Sequence, residues 1–163
     1  MASRSSQLQI RVTPEQKEVL RRLSSSAGQD MSTYVLSRVL PDARLRFAAL
    51  LEALRDDEQA GFVLAELNDL LSGLASGELR HAVEHAELQG LSPYLRNYVA
   101  AMVELTAHRL DVPPPAWVRD VEPLNAPHFA TPLQGLRLHL LRAAPVPFKR
   151  RNIFIDSSVG DRV

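Results

Sequence analysis

QLQIRVTPEQKEVLRRLSSSAGQDMSTYVLSRVL, residues 7–40, is the stretch whose reading decides the fold. Leu8, Ile10 and Val12 alternate with Gln7, Gln9 and Arg11. That period of two predicts a strand with one buried and one exposed face. Thr13 then stands as an N-cap, Pro14 at the first helical position, and Gln16 closes a capping box three residues on. The helix that follows carries Val19, Leu20 and Leu23 on one face, with Lys17, Arg21 and Arg22 elsewhere. Ala27-Gly28 ends it, because glycine takes the left-handed conformation without a Cβ penalty. Asp30 or Ser32 caps a second helix with Tyr34, Val35, Val39 and Leu40 as its apolar positions, and Pro41 stops that one.

Strand, helix, turn and helix in about 35 residues are too little chain to bury a core alone. A lone strand also leaves both edges without partners. Both difficulties vanish if two copies pair their strands antiparallel and pack four helices beneath. The outer face of the ribbon then carries Gln7, Gln9 and Arg11 twice. A two-stranded ribbon fits the DNA major groove, where Gln pairs with adenine and Arg with guanine, each good pair contributing about 1–3 kcal/mol of discrimination. The plainer alternative is a piece of an ordinary α+β domain. The polar outer face argues against it, since a strand covered on both sides is apolar throughout.

On these residues the stretch resembles the ribbon-helix-helix DNA-binding proteins, in particular antitoxins. The matching positions are Arg11 to Lys17, Ala27-Gly28, Gln29, Asp30 and Ser32-Thr33-Tyr34-Val35. The resemblance implies a homodimer on double-stranded operator DNA, reading bases with Gln7, Gln9 and Arg11. It implies phosphates held at the start of the second helix, near Met31, Ser32 and Thr33, with Arg4 of the N-terminal arm in reach. It further implies a repressor that is the antitoxin of a type II toxin–antitoxin system, regulating its own operon and neutralising a cognate toxin through the C-terminal domain. Asp30 departs from the Ser or Thr of many relatives. A carboxylate beside a phosphate is repulsive, so Asp30 is expected either to point away or to weaken binding.

The chain has 163 residues and no net charge, but the charges are segregated. Residues 1–40 carry a net +3, residues 41–135 a net −7 and residues 136–163 a net +4. Basic ends around an acidic middle suit a local nucleic-acid site, doubled in a dimer, and leave the middle for a basic partner. Cysteine is absent, which excludes disulfides and thiolate metal sites. No apolar run reaches the length of a membrane span, and MASRSSQLQ lacks the apolar core of a signal peptide. A cytoplasmic protein without membrane contact is expected.

Pro41-Asp42 marks a boundary, giving a ribbon-helix-helix module over residues 1–41 and a mostly helical domain over residues 42–163. The expected fold class is therefore mainly α. Leu45, Phe47, Leu50, Leu51 and Leu54 have helical spacing, as do Phe62, Leu64, Leu67, Leu70, Leu71 and Leu74 up to Gly73 and Gly77. A shorter helix is expected over residues 78–88. Ser92-Pro93 opens another with Leu95, Val99, Met102, Val103, Leu105 and Leu110. Pro113-Pro114-Pro115 begins a wrapping loop, residues 134–144 read as a last helix, and Asn152-Ile153-Phe154-Ile155 as a strand. Trp117, Phe148, Arg150 and Arg151 are the candidate partner-binding residues. The segments Leu95 to Val99, Pro114 to Val118 and Pro147 to Phe154 resemble bacterial proteins, some paired as antitoxins with nucleotidyltransferase-like toxins. The N-terminal relatives instead partner acetyltransferase-like toxins, so the class of toxin stays open.

His81-Ala82-Val83-Glu84-His85 spells H-x-x-E-H, which on a helix puts two histidines on one face. A zinc hydrolase would take Glu104 or Glu122 as third ligand. A stand-alone regulator would sense a metal or small ligand through His81 and His85. The plain alternative, favoured here, is a solvated helix face. His108, His128 and His139 are isolated. The chain has no Walker loop, no G-x-G-x-x-G and no G-x-S-x-G. No catalytic residue, metal or cofactor is expected.

Overall fold

The computed structural model describes residues 9–26, 28, 30–32, 34–35, 42–56 and 59–156. Arg4, Gln7, Leu8, Thr33, Val39 and Leu40 lie outside them. The chain divides into two compact units, residues 1–41 and 42–163. The described residues are mainly helical.

In the first unit, helix α1 spans Pro14–Ser26. Its start is a reciprocal capping box. The Thr13 backbone N–H donates to Gln16 Oε1 at 3.0 Å, and the Gln16 N–H donates to Thr13 Oγ1 at 3.3 Å. Gly28 terminates the helix at φ 65°, its N–H donating to the Ser25 carbonyl. Asp30 caps the next helical segment, in which Met31, Ser32, Tyr34 and Val35 are described. Its Oδ1 accepts the Ser32 N–H at 2.9 Å. Gln9 to Thr13 belong to no helix or strand, and Gln9, Ile10, Arg11 and Val12 are all exposed. The expected alternation of burial is therefore not realised within one chain. A strand with no neighbour has no sheet to lie against.

The second unit is built around its longest helix. Helices α2 (Ala43–Ala53), α3 (Ala60–Ser72) and α4 (Ser76–Val83) pack together, and α3 and α4 also lie against α5 (Pro93–Arg109). Ser92 Oγ caps α5 by accepting the Leu95 N–H, and Pro93 occupies its first turn. Leu95, Val99, Ala100, Ala101, Met102, Val103 and Ala107 of α5 are buried, so the helix is covered on most sides. Phe47, Leu51, Leu54, Leu67, Leu71, Leu79 and Val83 bring the other helices into the same core. Each such side chain contributes about 1.5–3 kcal/mol by leaving water.

After α5 the chain wraps. Short helix α6 (Trp117–Asp120) follows the prolines. Strand β1 (His128–Phe129) pairs in parallel with β2 (Ile153–Phe154), with His128 opposite Ile153 and Phe129 opposite Phe154. Between them lie a 3-10 turn (Gln134–Leu136), α7 (Arg137–Ala143) and α8 (Val146–Lys149), the last packed on α5. Buried polar groups fasten the wrap. Asn97 Nδ2 donates to the Pro93 and Glu122 carbonyls, both at 2.9 Å, and Trp117 Nε1 donates to the Val83 carbonyl at 2.8 Å. Burial pushes the Tyr98 hydroxyl up to about 12, with Tyr94 adding to the shift.

Several expectations need correcting, among them Leu45 of α2, which is exposed. Phe62 is exposed, and Val63 takes the core position beside it. The short helix expected at 78–88 ends at Val83. Residues 134–144 form a 3-10 turn and a helix whose Leu136, Leu138 and Leu141 are exposed, leaving Leu140 as the buried leucine of α7. One face of a short surface helix is enough to anchor it, and its other apolar residues stay in solvent.

Candidate functional site

Of the residues expected to read bases, Gln9 and Arg11 are exposed immediately ahead of α1; Gln7 is outside the described residues. The rigid capping box at Thr13 fixes where this segment leaves the helix. Among the residues expected to hold phosphate, Ser32 is exposed and Met31 half-buried, while Arg4 and Thr33 are not described. The Ser32 N–H, one of the donors a helix start offers an anion, already points at the Asp30 carboxylate.

In the second unit, α5, α6 and the turn before β2 bring charged groups together that lie far apart in sequence. Glu104 sits on the buried side of α5. Arg151 Nη2 donates to its Oε2 at 3.3 Å and Arg150 Nη1 to its Oε1 at 3.2 Å, with His108 Nε2 3.8 Å from that same oxygen. Arg151 is 6% exposed. It also donates to the Val118 carbonyl at 2.7 Å and the Val121 carbonyl at 3.2 Å. Its Nε is buried without a hydrogen-bond partner. Burial lowers the Arg151 pKa and the Glu104 charge opposes that shift. The guanidinium remains charged, as arginine does in proteins. A cleft of about 490 Å³ adjoins this cluster, lined by Glu104, His108, Arg119, Arg150 and Arg151 with Pro114, Val118, Val121 and Pro123.

The four candidate partner-binding residues separate accordingly. Phe148 is fully buried, edge-on to Tyr98, with ring centres 5.1 Å apart. Arg151 is buried with Glu104, and Trp117 is half-buried with its indole N–H engaged. Only Arg150 keeps most of its side chain in solvent. Sequence reasoning missed Glu104 as their organiser. Its signal was present: a carboxylate within the stripe Leu95, Val99, Met102 and Val103 needs a cation.

His81 lies in the last turn of α4, with Nε2 3.3 Å from Asp42 Oδ2, the N-cap of α2. The Arg44 N–H, and then His81, hold the Asp42 carboxyl below its usual range. His85 lies beyond the end of α4. Glu104 faces the two arginines. Among the described residues no three His, Cys, Asp or Glu side chains are grouped to hold a metal ion. No described helix is long and apolar enough to cross a membrane.

No curated protein and no solved structure matches the chain. A family model does match, over residues 7–60, about a third of the chain. It covers the capping box, the Gly28 turn and the Asp30 cap, and continues through α2. The family is described as Antitoxin TacA 1-like, and the N-terminal region of this chain is similar to it, bearing out the antitoxin resemblance read there.

Proposed function

We propose that the protein is the antitoxin of a type II toxin–antitoxin pair and represses its own operon. Two copies join through residues 1–41 as a ribbon-helix-helix dimer, with Gln7, Gln9 and Arg11 on DNA bases and Arg4, Met31, Ser32 and Thr33 near phosphates. Residues 42–163 bind the cognate toxin, and the complex acts on operator DNA in the cytoplasm.

The observation that carries this reading is the apolar surface of the first unit. Ile10, Val12, Val19 and Leu23 are 60%, 42%, 45% and 45% exposed. These are the residues that strand alternation and helix spacing assign to a buried face. A second copy would cover them and supply the missing strand. The family match supports the antitoxin role, and that role implies a toxin partner. Exposed Leu133, Leu136, Leu138, Leu141 and Val146 give the second unit apolar surface for a protein partner. The alternative, a stand-alone regulator sensing a ligand or metal through His81 and His85, draws less support. His81 already faces Asp42, and His85 lies past the end of its helix.

Gel-shift titrations of Gln9→Ala and Arg11→Ala against the operator and scrambled DNA test the base-reading step. Each substitution is expected to cost about 1–3 kcal/mol on the operator while sparing weak non-specific binding. Sequence preference unchanged in both variants would reject the assignment. Co-purification of a toxin with the tagged protein tests the partner.

A further inference from the structure

We infer that the cleft beside Glu104 binds a small organic phosphate. The inference concerns the second unit by itself and does not rest on the antitoxin reading. Three arginines line the cleft, Arg119, Arg150 and Arg151, against one carboxylate, Glu104. Leaving His108 aside, the lining carries two positive charges in excess. That excess matches a phosphate monoester, which holds about −1.5 to −2 charge at neutral pH, better than a single carboxylate.

The charge is placed for a ligand and not only for the fold. Arg151 and Glu104 are buried and fasten the wrap through the Val118 and Val121 carbonyls. Arg150 and Arg119 do not serve that purpose. The Arg150 side chain is 66% exposed despite its contact with Glu104, so it can swing to a stronger anion. Arg119 is exposed and makes no ion pair among the described residues. Arg119, Val121 and Pro123 line the cleft, whereas Asp120 and Glu122 do not. His108, on the rim beside Glu104, adds a further donor. Arginine forks suit phosphate oxygens. The walls formed by Pro114, Val118, Val121 and Pro123 are apolar, and suit the organic body of such a ligand. The volume, about 490 Å³, lies within the range of small-molecule sites.

The test titrates the full chain with inorganic phosphate, adenosine monophosphate and acetate in a chloride buffer of fixed ionic strength, by calorimetry and thermal shift. Inorganic phosphate and adenosine monophosphate are expected to bind and raise the melting temperature, the nucleotide more tightly, and acetate to do neither. Arg119→Gln and Arg150→Gln should each weaken binding about tenfold, the loss expected for one charge-assisted contact. The double variant should weaken it about a hundredfold. Both residues are exposed, so the ligand-free melting temperature should hold. Arg46→Gln, at an exposed position of α2, should change nothing. Four results would overturn the proposal: no binding by either phosphate at about 10 mM, far weaker than phosphate sites usually are; binding undiminished in the double variant, which puts the anion elsewhere; acetate binding as well as phosphate; or phosphate binding without the nucleotide.

Discussion

Glu104 meets two arginines of unequal weight. Arg151 is buried with it and also satisfies two loop carbonyls, while Arg150 reaches the same carboxylate from solvent. Removing a buried partner leaves an uncompensated charge, at a cost of about 3–5 kcal/mol, whereas an exposed pair contributes about 0–1 kcal/mol. Arg151→Ala should therefore lower the urea midpoint sharply at an unchanged slope, and Arg150→Ala should barely move it. Equal effects would mean that the two arginines share the load. Tyr98 offers a second single-residue test. Its hydroxyl titrates near 12 in the folded protein against an ordinary 10.0. Between those values the unfolded chain gives up its proton first, so stability present below pH 10 is lost as pH rises toward 12. Tyr98→Phe should flatten that alkaline decline in melting temperature, leaving the smaller part due to Tyr94, which burial also raises. At this scale the site was half legible. Arg150-Arg151 stands out as a basic pair, but nothing local ties it to Glu104, 46 positions earlier.

Capping was the most legible feature among the elements. Thr13 with Gln16, Gly28 and Ser92 each act as their residue type predicts, because these hydrogen bonds close within three residues. Asp30 also caps, and there local structure and proposed DNA binding conflict. Its carboxylate occupies the Ser32 N–H at the helix start. Asp30→Asn keeps an acceptor for the cap and removes the negative charge. If phosphates lie there, DNA affinity should rise about two- to fivefold at low salt, and the gain should shrink as salt screens it. Gel shifts at two salt concentrations would read this; unchanged affinity would place the phosphates elsewhere. Strand β1 escaped sequence reading because two residues are too few for alternation to register, whereas β2 lies within the strand read at residues 152–155. In α7 the leucines outnumber the positions that the core covers, so composition overstated burial.

For the molecule as a whole, the partition of charge and apolar surface was legible, but the state of assembly requires a second chain. Val19→Glu on exposed α1 tests that state. Sedimentation should give a dimer of 18.1 kDa chains for the parent and a monomer for the variant, with helix content kept and operator binding lost. A variant that remains dimeric would remove the surface on which the functional reading rests. The parallel pairing of β1 with β2 has another consequence. Phe148, Arg151, Ile153 and Ile155 are interior residues of the second unit, yet they come late in its chain. Synthesis delivers the acidic side of the Glu104 cluster long before its arginines. Until Ile155 clears the ribosomal tunnel, that half lacks its last interior residues, and apolar surface left open in this way is what chaperones meet during synthesis.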